Sequence, residues 1–524
     1  MEKKLSYGWM LSLKEICLRR VTVILWSQTY TLASINYDYI EVAVIGDMRK
    51  LELPPLLAEQ MTYLVDPIQL ETTKWKEFHE SYLDIKCMDI HILQQFCWTN
   101  LGTVDFRKSA EKLIRYEMFD IIKCYKLSCF YCLHDNISVL WEKLPEESKR
   151  HFYDEKEPSR DSEPPLEFCW PYILKGEETK LNIMLERPFG NPTTFNQYAF
   201  EYSAYEGNKA ATEYFFLKLT DVEREVSLLR TVQAVLMRRM DDIILFHDLH
   251  SLYTRSETFC YLLFLMSTEQ QMEIFKEYPF TVLMKFLEWP WQDIALDISE
   301  LIWPYLTAEE YADALRMISS RTKSGFNLTK LFQELFLHGS SDFRKHFVDL
   351  ECRYDASFRS FFKVQDSETI KIIFRAVDSE DRKRLVYSRR VLKHFYKSIL
   401  RGKCDMVELC VQEANLSKED REGFKRAFYI FFTEIERERR RARERLSLFI
   451  WHIVSWKDEE GQKEDPSGSL TETEVDARYI NRREYIWEQF LRIVDEGNAK
   501  TPCTRSLEEE ERGYSSSNSD FEYI

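Results

Sequence analysis

A short pattern of apolar and polar positions recurs along the chain, and after each copy the apolar residues follow helical spacing. An apolar residue comes first, then Ser, Thr, Asp or Pro, then two or three acids or amides. A Ser or Thr oxygen can accept hydrogen bonds from the free N–H groups of a first helical turn, and an acid at the third helical position can reach back. The pattern therefore predicts six helix starts, at Pro145, Thr220, Ser267, Thr307, Ser379 and Ser417.

The spacing of these starts indicates a structural repeat. The successive gaps are 75, 47, 40, 72 and 38 residues, so two of them are close to twice the shortest. A unit of about 36 to 40 residues fits if two starts have been missed. Units of that size, each a pair of helices, bury their apolar sides by stacking on one another. We therefore predict an all-α fold, a solenoid of stacked helical hairpins with degenerate repeats.

The pattern also divides the chain into segments. Prolines and polar runs interrupt the predicted helices near 153–166 and 187–194, which we expect to be loops. The predicted organisation is an N-terminal helical segment (1–100), a repeat array (101–456), a polar linker (457–473), one more helix (474–497) and a disordered acidic, Ser-rich tail (498–524).

Composition agrees with helices and narrows the class of partner. Glycine and proline are scarce, 14 and 15 of 524 residues, which disfavours a loop-rich or all-β fold. The net charge of −16 disfavours a general binder of nucleic acid or of an anionic membrane, because their phosphates repel such a surface. The most apolar early run, Val21 to Trp26, is far shorter than the roughly 20 residues that a membrane span needs. We therefore expect protein partners, not nucleic acid or a membrane.

Cysteine usage bears on the cellular compartment and offers one candidate chemical site. Twelve cysteines are too dilute for a disulfide scaffold, and several lie singly in helical patterns, as reduced thiols do in cytosolic proteins, so we expect an intracellular, cytoplasmic protein. Cys124, Cys129 and Cys132 have a spacing similar to that of plant-type iron–sulfur ligands. Cys129 and Cys132 also share one helix face, as core residues do. A structural core is the favoured interpretation, and a metal or redox site is the alternative.

Three Trp-Pro-aromatic sequences stand at Trp170, Trp289 and Trp303. Proline disfavours helical geometry in the residue before it and can begin the next helix. These sequences predict buried corners between helices, with an aromatic peptide-binding groove as the alternative. No phosphate-binding loop, dinucleotide turn or nucleophile elbow occurs in the sequence, so we expect no enzyme, cofactor or metal ion.

Two segments resemble the ankyrin repeat. Its run of small residues, a glycine and an apolar second helix match Ser203, Ala204, Gly207, Ala210, Ala211, Tyr214 and Phe215, and again Ser398, Ile399, Gly402, Met406, Val407 and Leu409. Residues 108–127 have the same form, and Glu117 and Asp366 are expected to take the turn position in less regular copies. Including the run from Phe168 to Glu178, nearly the whole chain resembles divergent ankyrin-like helical proteins of arthropods, especially spiders, a group with no assigned activity.

The N-terminal segment resembles a second family. The run from Ser12 to Val21, with Leu13 and Cys17 four residues apart, is similar to the Elongin-contacting helix of the SOCS box. The segment from Leu51 to Leu56, with Leu53 and Pro54, resembles the cullin-contacting part of the same box, which would span about 12–57. The resemblance implies Elongin B–C and a cullin as partners, whereas a plain amphipathic capping helix is the simpler interpretation.

These observations favour a non-enzymatic protein–protein interaction scaffold. The alternative is a substrate receptor of a cullin-type ubiquitin ligase, recruited through Leu13, Cys17, Leu53 and Pro54. A metal or redox protein that uses Cys124, Cys129 and Cys132 is a second alternative.

Overall fold

The computed structural model describes residues 11–32, 37–86, 88, 90–156, 158, 165–186, 192–237, 249–321, 328–354, 356–458 and 472–496. Helices dominate these residues. The described part of the chain contains no β-strand, only an isolated antiparallel bridge between Trp98 and Val104. The predicted all-α class is therefore confirmed.

Contacts divide the chain into two compact units, and the main boundary along the sequence falls between Leu306 and Thr307. The division lies inside the segment that the sequence assigned to one array, 101–456, and not near residue 100. The first unit contains α1 (Leu13–Leu32), α2 (Tyr37–Arg49), α3 (Pro55–Tyr82), α4 (Ile90–Leu93), α5 (Phe106–Arg115), α6 (Ile121–Phe130), α7 (His134–Lys143), α8 (Glu146–Phe152), α9 (Leu166–Leu174), α10 (Phe195–Glu206), α11 (Lys209–Lys218), α12 (Asp221–Met237), α13 (Leu249–Leu265), α14 (Thr268–Glu277), α15 (Pro279–Phe286) and α16 (Ala295–Ile302), with 3-10 helices at Glu178–Glu186, Gln292–Ile294 and Trp303–Tyr305.

The second unit contains ten more helices among its described residues. They are α17 (Ala308–Arg321), α18 (Thr329–His338), α19 (Ser341–Tyr354), α20 (Ala356–Val364), α21 (Ser367–Ala376), α22 (Ser379–Tyr387), α23 (Arg389–Leu400), α24 (Asp405–Ala414), α25 (Lys418–Asp458) and α26 (Glu472–Glu496). The predicted linker at 457–473 therefore overlaps helices at both of its ends, and the predicted tail lies outside the described residues.

The recurring polar pattern marks helix starts, as the sequence predicted. Helices α8, α12, α14, α17, α22 and α25 begin at or one residue after the six predicted positions. At α14 the Ser267 hydroxyl accepts from the Gln270 backbone N–H, and the Gln270 side chain accepts from the Ser267 backbone N–H. Thr307 and Glu310 exchange the same two bonds at α17. These reciprocal bonds satisfy N–H groups that the helix itself leaves free.

One cap lies a residue earlier than predicted, and one start was missed. At α22 the carboxylate of Asp378, not the hydroxyl of Ser379, accepts from the Asp381 N–H at 2.8 Å. Ser340 accepts from the Phe343 N–H at 3.2 Å and caps α19, within the 72-residue gap. The caps Ser340, Asp378 and Ser417 are thus separated by 38 and 39 residues.

The second unit repeats at this spacing, but with more helices than predicted. Helices α18, α21 and α24 begin at Thr329, Ser367 and Asp405, which are 38 residues apart in both intervals. Each of these helices contacts the next, and α19 contacts α22, which contacts α25. In the described part of each interval the chain forms three helices, not a pair. A predicted pair, such as α23 and α24, is present, and a third helix follows it.

The turn inside each pair has a left-handed residue. Gly207 between α10 and α11 has φ 84°, and Gly402 between α23 and α24 has φ 67°. Glu117 takes the position between α5 and α6 with φ 48°, as the sequence predicted. Between α20 and α21, however, the left-handed residue is Gln365 with φ 58°, and not Asp366. Asp366 instead caps α21, where its carboxylate accepts from the Thr369 N–H at 3.0 Å.

At four places, the residue four positions after a cap uses its side chain to donate hydrogen bonds to the end of the preceding helix. Arg224 donates to the carbonyl oxygens of Phe216 and Leu217, at 3.2 and 3.4 Å. Equivalent bonds run from Gln271 to Leu263, from Arg344 to Leu337, and from Arg382 to Val377 and Arg375. The last carbonyls of a helix have no partner within it, so one side chain joins the end of one helix to the start of the next. We call these four side chains the end latches.

Replacing an end latch should destabilise the protein. Arg382→Ala leaves two helix-end carbonyls without their donor, so we expect a loss of about 1–2 kcal/mol. Thermal unfolding followed by circular dichroism should show the melting temperature fall by about 2–6 °C. Arg359→Ala, at an exposed position of α20, is the matched control and should change it little. Equal effects of the two changes would contradict the latch.

Candidate partner-binding site

The first three helices pack together around an apolar cluster. Helices α1, α2 and α3 contact one another. Their buried core residues are Val23 and Trp26 from α1, Val44 and Met48 from α2, and Met61, Val65, Ile68 and Trp75 from α3. On α1 the buried side chains follow positions 19, 22, 23 and 26, which is the spacing of one helix face. That face holds α1 in the first unit.

The other face of α1 is open to solvent and carries four apolar residues, and the exposed Arg20 and Gln28 lie among them. Leu13, Cys17, Val21 and Ile24, which we call the α1 stripe, follow one another at spacings of four, four and three residues, so they lie along one side of the helix. Leu13 is 77 % exposed and Ile24 is 44 % exposed. Single exposed apolar residues are ordinary, but four along one helix face are typical of a surface that contacts a partner.

The second predicted segment lies in the turn between α2 and α3. Pro54 is exposed and precedes α3, whose first residue is Pro55. Leu53 is half-buried and packs against the same core cluster as α1. Leu51 and Leu56, on either side, are 42 % and 63 % exposed. The structure thus leaves Leu13, Cys17 and Pro54 accessible, whereas Leu53 contributes to packing and its neighbours offer the apolar surface.

A buried arginine fixes α1 on the first unit. Arg19 is 2 % exposed and donates to the carbonyl oxygens of Leu101 at 2.6 Å and Pro290 at 3.1 Å. Its guanidinium lies 4.2 Å from the centre of the Trp289 ring, an attractive cation–π arrangement. This Trp-Pro-aromatic sequence is therefore a buried corner.

The other two Trp-Pro-aromatic sequences differ from each other. Trp170 is fully buried in α9, where its indole N–H donates to the Cys129 carbonyl oxygen at 3.0 Å. The run from Trp303 to Tyr305 forms a short 3-10 helix of partly exposed residues. Two of the three sequences thus have the predicted buried tryptophan.

The three candidate metal-binding cysteines are buried thiols. Cys124 is 4 % exposed, Cys129 is fully buried and Cys132 is 2 % exposed. Burial raises the pKa of the Cys124 thiol to about 11, and it raises the pKa values of Cys129 and Cys132 further. A metal ligand or a nucleophile must be a thiolate, and these environments disfavour it. The described residues contain no group of three or more His, Cys, Asp or Glu that could hold a metal ion.

A buried histidine that the sequence did not single out contacts Tyr131, the residue before Cys132. The His79 Nδ1 atom is 2.7 Å from the Trp75 carbonyl oxygen, so Nδ1 carries the proton. The Tyr131 hydroxyl lies 2.8 Å from Nε2 and donates to it. Burial lowers the pKa of His79 to about 3, so the ring is neutral at pH 7. Both nitrogens are satisfied and the residue is fully buried, which indicates a structural role.

No protein-family model matches the chain, and no curated protein matches it either. No described helix has both the length and the apolar character that crossing a bilayer requires. The α1 stripe must therefore be interpreted from its own residues.

Thiol labelling should separate the accessible cysteine from the buried ones. Cys17 should react with iodoacetamide about 100-fold faster than Cys129 or Cys132, because the latter are buried and their pKa values are raised. Mass spectrometry of peptides from the native protein measures these rates, and labelling in denaturant serves as the control. Fast labelling of Cys129 in the native protein would contradict the buried core.

Proposed function

We propose that the protein is a non-enzymatic scaffold for protein–protein interactions, built as a solenoid of stacked, ankyrin-like helical repeats. The observation that carries this proposal is a set of side-chain bonds between successive repeats. Gln333 of α18 donates to the Thr369 hydroxyl of α21 at 2.9 Å, and Arg375 of α21 donates to Glu413 of α24 at 3.0 Å. The partners are 36 and 38 residues apart, close to one repeat.

A second row of bonds supports the same stacking. Ser388, which precedes α23, donates to the Cys352 carbonyl oxygen of α19 at 3.1 Å. Lys383 of α22 lies 2.9 Å from the carboxylate of Asp420 in α25. In a stacked array each repeat is held by its neighbours, so its outer positions are free to vary and to bind. We also propose a cytoplasmic location for such a scaffold, which the sparse cysteines of the sequence favour and the disulfide-bonded Cys404 does not.

The outer positions that best fit partner binding recur beside the helix caps. The residue three before a cap is a large exposed apolar side chain in three copies: Leu217 is 73 % exposed, Phe264 is 59 % and Leu337 is 49 %. In the first unit Val222 and Val226 of α12 are also exposed, beside Leu217 in the chain. Apolar residues held by a rigid helix end can act as anchors at little entropic cost.

The scaffold proposal predicts that binding depends on one contiguous surface. The full chain, immobilised with Leu217→Ser and Val222→Ser, should capture its main partners from a cell extract about tenfold less well than the unchanged chain. Quantitative mass spectrometry measures the captured proteins. Ile122→Ser and Val139→Ser, two exposed apolar positions on α6 and α7, form the matched control. A similar loss in both double variants, or in neither, would count against the proposal.

A second candidate function is that of a substrate receptor in a cullin-type ubiquitin ligase. The observation that favours it is the exposure of Leu13 and Cys17 on one side of α1. In the SOCS-box resemblance these two residues contact Elongin, so they must be accessible. A capping helix alone would need only the buried face of α1 and gives no reason for the apolar stripe on the other side.

Purified Elongin B–C tests this second function directly. It should co-elute with the unchanged chain in gel filtration, and Leu13→Asp with Cys17→Asp should weaken the complex about 100-fold, because two carboxylates would enter an apolar contact. Leu217→Asp is the matched control and should bind normally. Failure of the unchanged chain to bind Elongin B–C would remove this function and leave the scaffold intact.

A further inference from the structure

The first unit contains a cleft of about 460 Å³ that neither proposed function uses. It lies between the start of α5, the end of α6, the α10–α11 turn and α13. Its walls are tied together: the Asn208 side chain donates to the Phe130 carbonyl oxygen at 3.0 Å, and Thr258 donates to the Gly207 carbonyl oxygen at 3.0 Å. The volume falls in the range of ligand-binding pockets, and the bonds indicate a pre-formed shape.

The charges of this cleft leave an excess of carboxylate. Its lining contains four acids, Asp105, Glu111, Glu213 and Glu257, and three bases, Arg107, Lys108 and Lys209. Each base already has an acid beside it. Arg107 lies 3.4 Å from Glu111, and Lys108 lies 3.1 Å from Asp105.

The ammonium of Lys209 lies near two carboxylates. Its ammonium is 2.8 Å from Glu257 and 3.8 Å from Glu213. Burial raises the pKa of Glu213, and repulsion by Glu257 adds to the effect. Burial likewise raises the pKa of Glu71, and repulsion by Glu257 contributes to this rise. One more positive charge in the cleft would be stabilised by these carboxylates, whereas an anion would meet a net negative lining.

Aromatic residues provide the remaining wall. The rings of Phe106 and Phe130 are half-buried, so each retains some open surface, and Tyr131 lies beside them. A flat cation with several N–H donors suits this combination, because it can stack on a ring and bond a carboxylate in the same plane. Among side chains that are fully charged at pH 7, only arginine has both properties. An ammonium would satisfy the charge but would not use the rings as fully.

We propose that this cleft binds an arginine side chain presented by a peptide segment of a partner protein. The inference rests on the proposed scaffold function and gives it a chemical specificity. Glu257 accepts from the guanidinium, Glu213 adds to the negative potential, and Phe106 and Phe130 stack on the guanidinium plane. Recognition by paired charges and a ring is specific for arginine over its neutral analogue citrulline.

Calorimetric titration of the full chain tests the proposal. The probes are a capped Gly-Ser-Arg-Ser-Gly peptide and the same peptide with citrulline, which has the same shape without the charge. We expect the arginine peptide to bind with a Kd of about 1 mM or below and the citrulline peptide about tenfold more weakly. Equal binding of the two peptides, or no binding of the arginine peptide at about 10 mM, would overturn the proposal.

Variants of the protein test whether the arginine peptide binds in this cleft. Glu257→Gln should weaken arginine-peptide binding about fivefold or more, and Phe130→Leu should weaken it about threefold by removing a stacking ring. Glu225→Gln, an exposed position of α12, is the matched control and should leave binding unchanged. Circular dichroism checks that each variant is folded. If Glu257→Gln does not fold, Glu213→Gln replaces it, because this change keeps the Lys209–Glu257 pair. Unchanged binding in the folded glutamate variant contradicts the site.

The test also separates this inference from the scaffold proposal. If the arginine peptide does not bind while partner capture still depends on Leu217 and Val222, only the cleft assignment fails. If capture shows no such dependence but the arginine peptide binds through Glu257, the cleft stands and the assigned scaffold surface fails.

Discussion

Satisfying the ends of short helices is the constraint on which this structure depends. Helices such as α11, α14, α18, α21 and α24 have only ten residues each. Every helix leaves about four N–H and four C=O groups without an internal partner, so in a ten-residue helix most residues carry an unsatisfied group. The cap accepts hydrogen bonds from the N–H groups of one helix, and the end latch donates hydrogen bonds to the carbonyls of the helix before it. Five residues of sequence, from the cap to the end latch, thus join two helices and set the corner between them.

This local solution also explains where binding surface arises. When Arg224 or Arg344 holds the carbonyl oxygen of Leu217 or Leu337, the backbone of that helix end is fixed while its side chain projects outward. Exposed apolar residues therefore occur on rigid positions. The cleft beside Lys209 has a related origin, because it forms where the α10–α11 turn meets the start of α5. Both kinds of site lie at helix ends.

The sequence predicted those features whose causes are local. Caps at Thr220, Ser267 and Thr307 act within one turn, so a few neighbouring residues were enough to place α12, α14 and α17. The end latches were missed because their acceptors are backbone carbonyls of another helix, although the Arg four residues after Thr220, Ser340 and Asp378 would have been visible in an alignment on the caps. The third helix of each repeat was missed because an apolar pattern does not state how many short helices share an interval. The charge excess of the cleft depends on residues far apart in sequence, such as Lys209 and Glu257, and no local pattern contains it.

The α1 stripe was identifiable as apolar, but its exposure follows from one tertiary contact. Helix α1 has apolar residues on two sides, so the sequence alone does not determine which side packs. Successive residues turn by about 100° along a helix, so Cys17 and Val21, each two residues from Arg19, lie about 160° from it. Leu13 and Ile24 fall on the same side, at about 120° and 140°. Burying the Arg19 guanidinium against Trp289 and the carbonyls of Leu101 and Pro290 therefore turns these four residues to solvent. A charged residue, by taking an inner position, decides which apolar face remains available to a partner.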